Sequence, residues 1–285
     1  MSKLAIVTDS SCITAEEAKR LGVYLLPMPF SIDGVDYLEG VDLSTEFFYD
    51  KLTSDAEIFT SQPAAGAVMD LWDQVLEEND ELVHIPLSSG LSGAYSSACV
   101  YAQDYEGRVE VADTGRVSVP QRAAIEDAVS MREKGMSAKQ IKEALEAEKE
   151  NSMVFIALDN LERLKKGGRV TPLAATLGSV LKIRPVLKLQ ADKLDAFAKV
   201  RSVNKAKQSI IHALEATMRN MDTHTPSTVR VQAACTYGFE GKDQWIQELK
   251  EAFPEFEIEY GDLPMNLSCH VGINAIGAAV TKRMF

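Results

Sequence analysis

Short apolar runs recur through the first half of this chain, each followed by a loop rich in hydroxyls or glycine and then by a helix with its own cap. Two strands can lie parallel only if a long crossover, normally a helix, carries the chain back, so this alternation implies a parallel sheet covered by helices. Leu4-Ala5-Ile6-Val7 is the first run and Thr8-Asp9-Ser10-Ser11 the loop after it. A helix then starts at Thr14, whose hydroxyl caps it while Glu17 reaches back in a capping box, and Gly22 ends it. The second cycle runs from Leu82–Leu87 through Ser88-Ser89-Gly90-Leu91-Ser92-Gly93 into a helix containing Ala94, Ala98 and Ala102. The third runs from Val109–Ala112 through Asp113-Thr114-Gly115, and Ser137 with Gln140 opens a helix that carries Ile141 and Leu145 on one face.

A boundary is expected near Glu150, dividing the chain into an N-terminal α/β domain over 1–150 and a C-terminal α/β domain over 151–285; 285 residues suffice for two cores. The second half begins with the apolar segment Met153–Leu158. Val186–Leu189 and Ala196–Val200 read as a hairpin turning at Asp192-Lys193-Leu194-Asp195. A helix is predicted over about 204–220, a strand over 228–234, a helix around 245–253 and a strand near 256–260. The run of small and apolar residues Gly272–Arg283 is predicted to close the domain as a helix.

Charge narrows the partners. With 30 Lys+Arg against 42 Asp+Glu the net charge is -12, which disfavours nucleic acid and adsorption to anionic membranes. No apolar stretch approaches the length of a membrane span, so no stable membrane insertion is expected, and the first thirty residues do not read as a signal peptide. Cys12, Cys99, Cys235 and Cys269 show neither zinc-site nor redox-dithiol spacing, which suits reduced thiols in a cytoplasmic protein. No metal or cofactor signature is found.

Three hydroxyl-rich loops are candidate sites: Thr8–Ser11, Thr60-Ser61-Gln62-Pro63 and Ser88–Gly93. Loops at the carboxyl ends of parallel strands line the ligand crevice, where hydroxyls and free amides at helix N-termini can hold an anion. The same residues can instead simply cap the following helices. Leu164-Lys165-Lys166-Gly167-Gly168-Arg169-Val170 places a guanidinium on a flexible turn, suited to a carboxylate or phosphate, although most such clusters are solvated turns. Cys269-His270-Val271-Gly272 carries a lone histidine. His84, inside an apolar strand, reads as a hydrogen-bonded core residue. Ser92 lacks the flanking pattern of a nucleophile elbow.

Taken in order, these segments resemble the DegV family over essentially the whole chain: Ile6–Ser11, Thr60–Pro63, Leu87–Gly93, Leu164–Val170, Leu181-Lys182-Ile183-Arg184-Pro185 and His270-Val271-Gly272. The resemblance implies a two-domain α/β protein that buries a long-chain fatty acid between its domains and catalyses nothing by itself. It further implies a separate ATP-dependent kinase subunit, to which the acyl carboxylate is presented for acyl-phosphate formation and phospholipid synthesis. The positions matched to the family's carboxylate site are Thr60, Ser61, Ser92 and Gly93, with Arg169 and His270 as the basic residues near the head group. Two departures stand out. Ala94 occupies a position where the family usually has Thr, and Ile273-Asn274 replaces a usual Pro-Gly pair, which bears on the helix expected to start beside His270. The rival readings are an acyl-ester hydrolase acting through the Ser92 loop and a lipid buffer or sensor that works without a kinase.

Overall fold

The computed structural model describes residues 3–176, 183–191, 194–221 and 223–284. Its backbone contacts divide the chain into two compact units, Met1–Lys149 and Glu150–Met284.

The first unit contains β1 (Leu4–Asp9), α1 (Ala15–Leu21), β2 (Tyr24–Leu26), β3 (Pro29–Ile32), β4 (Val35–Leu38), α2 (Thr45–Thr53) and β5 (Ile58–Thr60). It continues with α3 (Ala65–Glu78), β6 (Glu81–Ile85), α4 (Ala94–Tyr101), β7 (Val109–Val111), α5 (Ser118–Glu133) and α6 (Ala138–Ala147). A four-stranded parallel sheet has the order β2-β1-β6-β7. On one face, Val68, Trp72 and Val75 of α3 and Ala98 of α4 pack against Ala5, Val7, Leu82 and Val111. Helices α5 and α6 cover the other face. Both expected capping boxes are present, Thr14 with Glu17 and Ser137 with Gln140, and Gly22 ends α1 in the left-handed region at φ 62°. The sequence reading proposed no elements between residues 24 and 60, where β3, β4 and β5 form a separate antiparallel sheet in the order β4-β3-β5.

The second unit contains β8 (Ser152–Ala157), α7 (Glu162–Gly167), α8 (Pro172–Thr176), β9 (Arg184–Leu189), β10 (Asp195–Val200) and α9 (Val203–Arg219). These are followed by β11 (Val229–Cys235), α10 (Lys242–Ala252), β12 (Ile258–Asp262), α11 (Met265–Val271) and β13 (Ile276–Lys282). Its mixed sheet has the order β10-β9-β8-β13-β11-β12. Ile210 and Leu214 of α9 and Trp245 and Leu249 of α10 bury against Phe155, Val231, Ala278 and Val280. Strands β9 and β10 pair antiparallel as the expected hairpin. Asp192 and Lys193 of its predicted turn lie outside the described residues, as do Leu181 and Lys182 of the fifth matched motif.

One prediction is wrong. Gly272–Arg283 is not a closing helix: α11 ends at Val271, and Ile276–Lys282 runs as a central strand between β8 and β11. A strand covered on both faces shows no alternation of polar and apolar residues, and six of its seven residues are buried, so its small apolar run carries no strand period. His270 therefore sits in the last turn of α11, and Ile273-Asn274 lies in the turn after that helix rather than at a helix start. Asn274 takes the left-handed region at φ 60° and its amide donates to Asp159 at 3.0 Å. Asparagine tolerates that conformation better than most residues, which explains how it serves in place of glycine.

Arg184 is ion-paired with Asp159 and donates to the Asn274 carbonyl.

Candidate functional site

In the first unit the strand order reverses direction at β1 and β6, whose carboxyl ends lie side by side. Open parallel sheets place their ligand crevice at such a point. Asp9, at the end of β1, joins the two strand-end loops: one carboxylate oxygen accepts from the Ser11 amide at 3.0 Å and from the Ser11 hydroxyl, and the other accepts from the Leu87 amide at 2.7 Å. Burial raises its pKa against the pull of these three donors. Ser11 also donates to Gln121 at 3.2 Å, Thr8 donates to the Ile85 carbonyl at 2.8 Å, and Ser10 donates to Glu39 at 2.8 Å. The hydroxyls of Thr8, Ser10 and Ser11 are thus engaged within the unit, and none of them caps α1, whose N-cap is Thr14.

The Ser88–Gly93 loop divides in the same way. Ser88 is fully buried, and Ser89 gives both its amide, at 3.2 Å, and its hydroxyl to Asp113. Ser92 is half-exposed; its Oγ accepts from the Ala94 amide at 3.2 Å, while Gly93 is the N-cap of α4. Among the described residues its hydroxyl donates to none.

Thr60 ends β5, opposite Phe30, and Ser61 follows it, exposed, with its amide donating to the Pro29 carbonyl at 3.3 Å. A groove of about 260 Å³, lined by Phe30, Tyr37, Leu38 and Phe59 together with Asp36 and Asp42, includes these two residues. Gln62 brings their loop to the serine-glycine loop: its amide donates to Ser97 Oγ at 2.8 Å, and a Cβ at Gly93 would stand 2.7 Å from its Oε1. Gln62 was quoted in the motif but not singled out, because its role depends on a contact 35 residues away in sequence. Gly93→Ala is expected to leave the fold intact, since the crowded atom is the end of an exposed flexible side chain, but to break the Gln62–Ser97 bond. A five-fold weaker ligand affinity, equivalent to about 1 kcal/mol, with an unchanged melting temperature is the expected result. Titration of the variant beside wild type checks it.

The second unit gathers Arg169 and His270 around Gly167. Gly168 caps α7 in the left-handed region at φ 69°, which turns the chain so that the Arg169 guanidinium folds back on the Gly167 carbonyl. A Cβ on Gly167 would meet His270 Nδ1 at 3.2 Å and Arg169 Nη1 at 3.3 Å, so glycine is what allows this approach. Burial, then the positive charges of Arg169 and Arg163, hold the His270 pKa down to about 4. A neutral imidazole beside two guanidiniums is suited to receiving an anion. Arg163 was missed in the sequence, where it stands just outside the glycine motif with no spacing to mark it.

His84 corrects a further expectation. It is buried as predicted, but not hydrogen-bonded: among the described residues neither ring nitrogen has a partner, and burial lowers its pKa to about 3. Among the described residues no group of three or more His, Cys, Asp or Glu side chains is placed to hold a metal ion, and no helix is long and apolar enough to cross a membrane.

The profile of the DegV family, described as uncharacterised proteins, matches residues 3–283. A DegV domain-containing protein of Listeria innocua is 31% identical over 280 residues, covering 96% of this chain and 97% of its own. A fatty-acid-binding DegV family protein from Thermus thermophilus superposes with a TM-score of 0.88 at 26% identity, covering 98% of this chain and 99% of its own. DegV from Bacillus subtilis, a fatty acid binding protein, gives a TM-score of 0.86 at 25% identity, covering 99% and 100%.

Proposed function

The chain belongs to the DegV family, and from that premise we propose that it binds one long-chain fatty acid and presents the carboxylate to a separate ATP-dependent kinase. In this reading Thr60, Ser61, Ser92 and the Gly93 amide donate to the carboxylate, while Arg169 supplies a cation and His270 a neutral hydrogen-bonding group. The observation that carries the reading is the cluster at Gly167, which a Cβ would close at 3.2 Å from His270 Nδ1 and 3.3 Å from Arg169 Nη1, and where burial, then Arg169 and Arg163, lower the His270 pKa to about 4. Donors and cations collected without an activated nucleophile suit holding an anion rather than attacking it. The fatty-acid-binding relatives from Thermus thermophilus and Bacillus subtilis, alike over nearly the whole chain, support the same ligand class.

Energetically, the acyl tail supplies most of the affinity, at about 0.8 kcal/mol per buried methylene. The head group sets the orientation, since a buried carboxylate without partners is costly. Hydrogen bonds to a charged group contribute about 1.5–3 kcal/mol, so Ser92→Ala and Ser61→Ala are each expected to weaken binding roughly ten-fold or more. Native mass spectrometry of the purified protein, with extraction of what it carries, is the test. One stoichiometric fatty acid, diminished in both variants, is the expected result; an empty protein that also refuses added palmitate, stearate and oleate would overturn the reading. Acyl-phosphate formation on adding a cognate kinase subunit tests the presentation step separately.

A further inference from the structure

The outer face of the small sheet β4-β3-β5 is a feature that holding a carboxylate leaves unexplained. Cross-strand register sets Asp36, Ser31 and Phe59 in one row and Leu38 beside Pro29 in the next, where the Ser61 amide donates to the Pro29 carbonyl. Phe30 and Ile32, of the opposite parity on β3, are buried, so these two rows face outward. Phe59 is 64% exposed and Leu38 40%. Of the ten large apolar side chains exposed among the described residues, five fall between Val35 and Phe59. Exposed apolar residues scattered singly need no explanation, whereas a concentration of them on one small element marks a binding surface.

Shape and charge select the occupant. The groove on this face has a volume of about 260 Å³, below the roughly 300–1,000 Å³ of sites that enclose a whole small molecule, and suits a single anchoring side chain. Asp36 and Asp42 stand in its wall. From Ser31 to Ser61 the chain carries eight Asp and Glu and one lysine, and that lysine, Lys51, is paired with Asp33 at 2.6 Å. An apolar seat in an acidic field is complementary to an apolar side chain framed by Lys or Arg. A second copy of this chain does not fit, because a two-fold contact would lay the acidic face against itself. Acidic residues at an open sheet edge also keep it from pairing with other chains, but that role asks nothing of Phe59 on the opposite edge strand.

We propose that this face docks a protein partner, which seats one large apolar side chain in the groove and rims it with lysines or arginines. Thr60 and Ser61 line the same groove, so the docked partner stands beside the proposed carboxylate donors, although the groove and its charge are independent of the fatty-acid reading. The test is photo-crosslinking in native cells, using the full chain with p-benzoylphenylalanine in place of Phe59. The same residue in place of Lys139, exposed on α6, is the control. One protein is expected, joined through a peptide that holds an apolar residue among Lys or Arg, and not taken at position 139. Once purified, that partner is expected to bind wild type less tightly as salt rises. It is expected to bind Phe59→Ser roughly thirty-fold more weakly, and Asp36→Lys roughly ten-fold more weakly with a flatter salt dependence. Both side chains are exposed, so both variants are expected to keep the wild-type circular dichroism spectrum. The proposal is overturned by no crosslink beyond the control, by a crosslink to lipid or to a second copy, or by a contacting peptide without basic residues. Equal affinity of the purified partner for wild type and Asp36→Lys overturns it as well.

Discussion

Replacing Trp245 with alanine is expected to destabilise the second unit by about 3–5 kcal/mol, the range for deleting a large buried aromatic side chain. Trp245 is fully buried where α10 packs on the sheet, among Ile210, Leu249, Val231 and Ala278. Its indole N–H donates to the Gly277 carbonyl at 3.1 Å, which ties α10 to the central strand β13. The Lys207 ammonium lies 5.9 Å from its ring centroid, is itself buried, and pairs with Glu248 at 3.0 Å. Alanine therefore leaves a cavity, a carbonyl without its indole donor and a buried ammonium stripped of an aromatic neighbour. Trp245→Phe keeps most of the bulk but loses the hydrogen bond, and is expected to cost about 1–3 kcal/mol. Urea unfolding followed by far-UV circular dichroism separates the two; equal midpoints for wild type and Trp245→Ala would show that the packing around α10 collapses without penalty.

Legibility in the sequence tracked how local each feature is. The capping boxes at Thr14 and Ser137 are written in residues three apart, and both formed as read. The alternation of apolar runs with capped helices led correctly to a parallel sheet in the first unit. β13 was misread because its neighbours β8 and β11, not its own pattern, make it a strand. Strands β3, β4 and β5 are three or four residues long and partly exposed, too short for a period to show. The candidate site divides similarly. Resemblance pointed to Ser61, Ser92, Arg169 and His270, but not to what positions them. Gln62 acts through Gly93 and Ser97, Arg163 through the field at His270, and Asp9 through the Leu87 amide 78 residues away. Each of those roles depends on a tertiary contact that no spacing encodes. His84 is the sharpest case: its burial was legible from the apolar run around it, whereas the absence of partners becomes visible only when β6 is set against α3.

That absence makes the protein acid-sensitive in a defined window. The folded-state pKa of His84 is lowered from 6.5 to about 3, so between those values the unfolded chain takes up a proton that the folded chain refuses. The stability His84 preserves is therefore complete above pH 6.5 and is lost as pH falls towards about 3, with an upper bound of roughly 5 kcal/mol. His270, lowered to about 4, acts in the same sense in the second unit. Asp9 opposes them: its raised pKa means the folded state binds a proton first as the solution is acidified, which adds stability as the pH falls through its folded-state value. The contributions of His84 and Asp9 therefore run in opposite directions as the pH falls. His84→Leu isolates the histidine's share. At pH 7 it is expected to raise stability by about 1–3 kcal/mol, since no unsatisfied imidazole remains in the core. At pH 5 its advantage over wild type is expected to be larger still, because wild type alone must exclude the proton from His84. Calorimetric melting of both proteins at pH 7, 6 and 5 measures this difference directly. A gap that stays constant with pH would mean that His84 titrates alike in the folded and unfolded chain, so that its burial carries no acid sensitivity.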